Sequence, residues 1–112
     1  MQIYKVLRRP EWQILRQNRK SAGAPVDVAD GFVHFSALDQ LAETLAKHFA
    51  GEQDLMLVSV EADRLGDALR WEPSRGGALF PHLYRDMHLS DVVWAQPIAV
   101  EDGVHILPPG LS

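Results

Sequence analysis

The sequence predicts an α+β fold, and three features carry that expectation. Six or seven short runs rich in β-forming residues are spread along the chain. Two amphipathic helical patterns occur, both in the first half. Strand and helix do not alternate regularly, as a parallel βαβ sheet would require. At 112 residues there is room for one hydrophobic core, so residues 1–112 are read as a single domain.

In chain order, "QIYKVL" reads as a strand over 2–7. Pro10 suits the first turn of a helix, and "EWQILRQNR" follows with Trp12 and Leu15 at helical spacing, acid first and base last. "KSAGAPVDVAD" reads as a loop from its Gly, Pro and Asp content. "GFVHFS" is a second strand whose failed alternation implies cover on both faces. Ser36 looks like a helix N-cap, with Asp39 completing an approximate capping box. Leu38, Leu41, Ala42, Leu45 and Phe49 then mark the clearest helix, which Gly51 ends.

The second half is strand-rich. "DLMLVSVE" is a strand, "ADRLGDA" a turn or short helical stretch, and "LRWE" a brief strand over 69–72 that Pro73 stops. "PSRGGALF" reads as a loop, "PHLY" as extended and "LSDV" as a single helical turn. "VVWAQPIAVE" is a strand whose proline implies an edge or bulge. "DG" at 102–103 signals a hairpin onto "VHIL".

Composition excludes several classes of function. With no cysteine, disulfides, thiolate metal sites and thiol nucleophiles are absent. A net charge of −4 argues against a nucleic-acid binder. Basic residues do gather early, at Lys5, Arg8, Arg9, Arg16, Arg19 and Lys20, where a solvated helix face is the ordinary account. No signal peptide or membrane-length apolar run is present, so no membrane partner and a cytoplasmic location are expected. There is no nucleophile elbow and no Walker or Rossmann glycine pattern.

Two clusters carry candidate chemistry. His34 and Ser36 share one side of their strand. The hydroxyl could simply cap a helix and the imidazole bond a carbonyl, or both could meet a polar ligand at a helix N-terminus. Arg70, Glu72, Arg75, His82 and Tyr84 flank a glycine-containing loop, with Arg70/Glu72 and His82/Tyr84 again two apart. His34, His82 and Glu72 are also suitable zinc or iron donors, which opens a metal-dependent hydrolase, but no paired-ligand spacing supports them and no metal residue is assigned. His48 suits the C-terminal dipole of its helix, while His88 and His105 belong to no constellation.

The set "IYKV", "DGFVHFS", "LRWE" and "FPHLY…LSDVV" resembles a small uncharacterised bacterial family, a domain of unknown function often labelled glutathione-transferase-like. That label does not fit, because a thioredoxin-like unit and a helical second domain exceed this length. The family in turn resembles the ADP-ribosyltransferase fold: two small, mostly antiparallel sheets, two early helices and a cleft between the sheets that takes NAD. The resemblance implies Tyr4 and Lys5 on the adenosine side, with Lys5 standing where family members commonly have histidine. It implies Ser36 and His34 in the cleft and Glu72 as the carboxylate supporting an oxocarbenium-like state, so that Glu72 and His34 are the catalytic candidates. Arg70 would pair with a phosphate, and His82 and Tyr84 would wall the far side. The implied function is an NAD-dependent transferase or glycohydrolase. A non-catalytic metabolite- or protein-binding module is the alternative, acting as a monomer or weak homodimer.

Overall fold

The structure, a computed structural model, describes residues 1–111. Its elements are β1 (Gln2–Arg8), α1 (Arg9–Asn18), β2 (Lys20–Ser21), α2 (Pro25–Asp30), β3 (Val33–His34), α3 (Leu41–His48), β4 (Leu55–Glu61), β5 (Leu69–Pro73), β6 (Leu79–Leu83), β7 (Met87–His88), β8 (Val92–Glu101) and β9 (Val104–Ile106). The result is a mixed α+β molecule of antiparallel sheets and few helices. One sheet has the order β1-β4-β8-β9, a second β3-β6-β5, and β2 pairs with β7. Among the described residues no helix is long and apolar enough to cross a membrane.

β1 and β4 are near-continuous apolar runs because the first sheet is covered on both faces. Ile3, Leu7, Val58 and Val60 point to one core, shared with Leu15 of α1 and with Val33, Phe35 and Leu83 of the second sheet region. Tyr4, Val6, Leu55 and Leu57 point the other way, onto Leu41 and Leu45 of α3. Burying each such side chain contributes about 1.5–3 kcal/mol. Lys5 lies on the Ile3–Leu7 face by the two-residue period and is buried there, at 6% exposure.

The segment 33–36 stitches the two sheets. His34 stands opposite His82 in the β3–β6 ladder, and Phe35 N–H donates to the Pro81 carbonyl at 2.9 Å. One residue later the chain has crossed to β1: Ser36 and Tyr4 exchange both backbone hydrogen bonds at 2.8 Å.

Several expectations need correction. "KSAGAPVDVAD" is not a plain loop; it holds β2 and α2, a third early helix. Proline at the start of α2 and Gly31 in the left-handed region at its end were the available signals. Ser36 caps nothing: its hydroxyl meets Thr44 Oγ1 at 2.9 Å and its backbone bridges to Tyr4. The helical start lies one residue on, where Gln40 Oε1 accepts from Ala37 N–H at 2.9 Å above a 3-10 turn, Leu38–Gln40. Leu38 and Ala42 are accordingly exposed rather than in the core.

Pro73 does not stop β5: it pairs with Leu79, which an edge strand tolerates, and Leu79 and Phe80 belong to β6 rather than a loop. Pro97 lies in the stretch of β8 that β9 leaves unpaired, while the register shift falls earlier, opposite Ser59 and Val60. The Asp102–Gly103 turn has positive φ at both residues, as a two-residue hairpin with a type I′ turn needs.

Candidate functional site

Where β1 and the His34–Ser36 segment part beyond the Tyr4–Ser36 bridge, they leave a hollow of about 680 Å³. Its wall takes Tyr4 and Lys5 from β1, His34 and Ser36 from the stitching segment, Thr44 from α3 and His82 from β6. The volume and the mainly apolar wall with a few polar groups are those of a small-molecule site. Ser36 Oγ and Thr44 Oγ1 hydrogen-bond within its wall at 2.9 Å. Arg8, at one end, is clamped by both Glu52 oxygens at 2.7 and 3.0 Å and by Glu11 at 3.3 Å.

Asp27, in the segment that reads as a loop, is the hub beneath this wall. Its side chain is fully buried. Oδ2 receives Lys5 Nζ at 2.7 Å and Ala24 N–H at 2.7 Å; Oδ1 receives His34 N–H at 3.0 Å and His34 Nδ1 at 2.6 Å. A carboxylate only accepts, so Nδ1 carries a proton. Burial pushes the Asp27 carboxyl up, but the His34 hydrogen bond and the Lys5 charge outweigh it and hold its pKa at about 2. Burial also pushes the Lys5 ammonium down, against the attraction of Asp27. The approach is so close that a Cβ on Gly23 would overlap the Asp27 carboxylate, so only glycine fits there.

His34 Nε2 faces outward to a second carboxylate, Asp30 Oδ2, at 3.0 Å. Both contacts are hydrogen bonds only when both ring nitrogens are protonated.

The second imidazole is arranged differently. His82 is buried, and its Nδ1 lies 2.9 Å from Glu72 Oε1, which also accepts from the Tyr84 hydroxyl at 2.7 Å. These two hydrogen bonds, Tyr84 first, hold the Glu72 carboxyl below its usual range. Since Glu72 accepts, Nδ1 donates, which leaves Nε2 as the ring's other polar atom. That Nε2 is buried and has no hydrogen-bond partner among the described residues. Phe32 packs this group together, stacked on His82 at 4.3 Å and lying 4.6 Å from His34 and 5.1 Å from Tyr84. The two imidazole rings meet edge to face at 5.2 Å.

The candidate residues therefore divide. Tyr4, Lys5, His34, Ser36 and His82 all line the hollow. Glu72 reaches it only through His82, and Arg70 stands over the Tyr84 ring at 5.0 Å instead of pairing with Glu72. The side chain of Arg75 lies outside what is described. His48 borders the hollow from the last turn of α3, while His105 Nε2 is 2.8 Å from the Glu52 carbonyl. No group of three His, Asp or Glu side chains among the described residues is arranged to hold a metal ion, so the zinc or iron set of His34, His82 and Glu72 is not formed. Sequence reasoning missed Asp27, Asp30, Phe32 and Thr44. Only the i, i+4 spacing of Asp30 and His34 was visible as a signal.

The family described as "Protein of unknown function (DUF952)" matches residues 6–95. The crystal structure of protein CC0527 from Caulobacter crescentus is 46% identical over 99% of this chain and 98% of that one, with a TM-score of 0.93. A double mutant of the same protein is 45% identical over 99% and 98%, again at 0.93. Its solution NMR structure is 48% identical over 92% and 90%, with a TM-score of 0.82. No curated protein matches the chain.

Proposed function

This chain belongs to the DUF952 family, and we propose that its hollow binds NAD or a related nucleotide on an ADP-ribosyltransferase-like arrangement of sheets. On this reading it acts as a transferase or glycohydrolase. The observation that carries the reading is the Glu72–His82 pair, whose second ring nitrogen is buried with nothing to bond. An unmet buried acceptor costs about 1–3 kcal/mol, and an O–H or N–H delivered by a ligand or an attacking acceptor removes that cost. Support also comes from the size of the hollow, its position between two sheets and the second imidazole beside it.

In the proposed reaction the acceptor oxygen, from water or a hydroxyl, bonds to C1′ of the nicotinamide ribose. Its proton goes to His82 Nε2. The glycosidic electron pair leaves with nicotinamide and cancels the charge on the pyridinium ring. Glu72 then faces an imidazolium and stabilises it, so it works as a positioning residue behind His82. Lys5 is occupied by Asp27 and offers the ligand no free ammonium. Tyr4 and Ser36 contribute wall rather than charge.

The test is titration of NAD, ADP-ribose and nicotinamide while following the His34 and His82 imidazole signals. Movement of both at submillimolar ligand is the expected result. Silence at millimolar ligand ends the proposal. A second reading, a non-catalytic module on the same fold, draws on the distance of Glu72 from the hollow. It wins if the protein binds a nucleotide, never releases nicotinamide, and keeps that affinity in Glu72→Ala.

A further inference from the structure

We propose that Asp30 occupies the seat of an anionic ligand group on His34, so that the hollow recognises a phosphate or carboxylate by exchanging it for this side chain. The inference deepens the nucleotide reading by naming which part of the ligand His34 holds, and it rests on that reading only for the identity of the nucleotide.

The two contacts of His34 differ in how easily they can be exchanged. Nδ1 is held by a carboxylate with no exposed surface, itself locked by Lys5 and two backbone N–H groups. Nε2 is held by Asp30, whose side chain is 47% exposed at the end of the short helix α2. An exposed ion pair contributes little, because water and salt compete for both partners. The ring is thus fixed from behind and loosely covered in front. Asp30 and His34 both line the hollow, so what replaces Asp30 comes from inside it.

Charge makes the same point. Lys5 and Asp27 cancel, and Asp30 is the carboxylate set against His34 Nε2. When Asp30 swings into water, the wall loses one negative charge and the Nε2 edge of His34 opens to the ligand. A charge-assisted hydrogen bond to a phosphate or carboxylate oxygen is the chemistry that satisfies it. Arg8, at the end of the same hollow, is already committed to Glu52 and Glu11. His34 is therefore the seat from which a carboxylate is displaced.

The experiment compares the wild-type protein with Asp30→Asn, titrating each with inorganic pyrophosphate and, separately, with NAD, and reading the imidazole signals of His34, His88 and His105. Asparagine keeps the size of Asp30 and removes its charge at a half-exposed site, and a dispersed amide spectrum checks that the variant is folded. Pyrophosphate should bind Asp30→Asn several-fold tighter than wild type, on the order of fivefold from the removal of an exposed ionic competitor. The shift should centre on His34. Equal or weaker binding by the variant overturns the proposal, as does a response confined to His88 and His105. If NAD binds both proteins equally, the exchange at Asp30 is wrong and the nucleotide reading survives. If pyrophosphate behaves as expected and NAD does not bind, the exchange stands and the nucleotide reading falls.

Discussion

In the Asp27–His34 pair the carboxylate side chain has no exposed surface and the imidazole is 30% exposed. In the Glu72–His82 pair the carboxylate is 33% exposed and the imidazole 5%. The two imidazoles adjoin in one sheet, directly opposite each other across the β3–β6 ladder. The same chemical partners are thus turned in opposite directions. Where the acid is buried, it must stay ionised to satisfy Lys5 and two backbone donors, and the ring it holds presents Nε2 to Asp30 at the wall of the hollow. Where the ring is buried, the acid can exchange with solvent, and the second ring nitrogen stays in the interior with no partner among the described residues. Burial of one partner or the other, more than the residue types, separates a donor from an acceptor.

That contrast is open to direct attack. The largest effect belongs to Asp27→Asn, which leaves Lys5 buried without its counter-charge. Urea unfolding should register a loss of about 3–5 kcal/mol. A loss under about 1 kcal/mol would mean the hub is not an anchor, and the contrast would collapse. Lys5→Met combined with Asp27→Asn should cost less than the two single changes added together, because the stranded charge is gone.

The pH dependence comes next. The folded Asp27 pKa, about 2, lies below its ordinary value of 3.8, so the folded state binds fewer protons through that range. The stabilisation is complete above the ordinary value and disappears as pH falls through the folded one. It amounts to roughly 2 kcal/mol lost between about pH 4 and pH 2. Acid unfolding followed by tryptophan fluorescence should show this fall in wild type and a smaller one in Asp27→Asn.

Glu72→Gln should be the mildest for stability, with a urea midpoint close to that of wild type, since the carboxylate is partly solvated. Its signature lies elsewhere. In wild type the His82 ring should be the Nδ1–H tautomer by its nitrogen shifts, and an amide in place of the carboxylate should loosen that preference. An unchanged tautomer would separate Glu72 from any role behind His82.

How much of this was legible before the coordinates depended on the range of each interaction. β1, β4 and α1 stood out because periodicity and propensity are local properties. The Asp102–Gly103 turn did too, because its positive φ values select those residues. His34, Ser36, Glu72, His82 and Tyr84 are legible as candidates because residues two apart on a strand share a side. α2 was hidden: "PVDVAD" is six residues long, mostly exposed, and carries no apolar stripe. Its one buried polar side chain, Asp27, looks like any turn aspartate. Phe32 looked like ordinary strand filling, yet it is the ring that three other rings pack around.

The amino-acid order by itself determined the fold class, the main strands, the absence of thiol chemistry and the pairing of polar residues on strand faces, since each depends on neighbours in the chain. Only the tertiary structure decided that Lys5 and His34 share Asp27, that Glu72 stands behind His82, and which carboxylate is dry. Those outcomes depend on contacts between segments far apart in sequence, as Lys5 is from Asp27 and Glu72 from the hollow it serves. Desolvation is a property of the assembled surroundings and of no single residue.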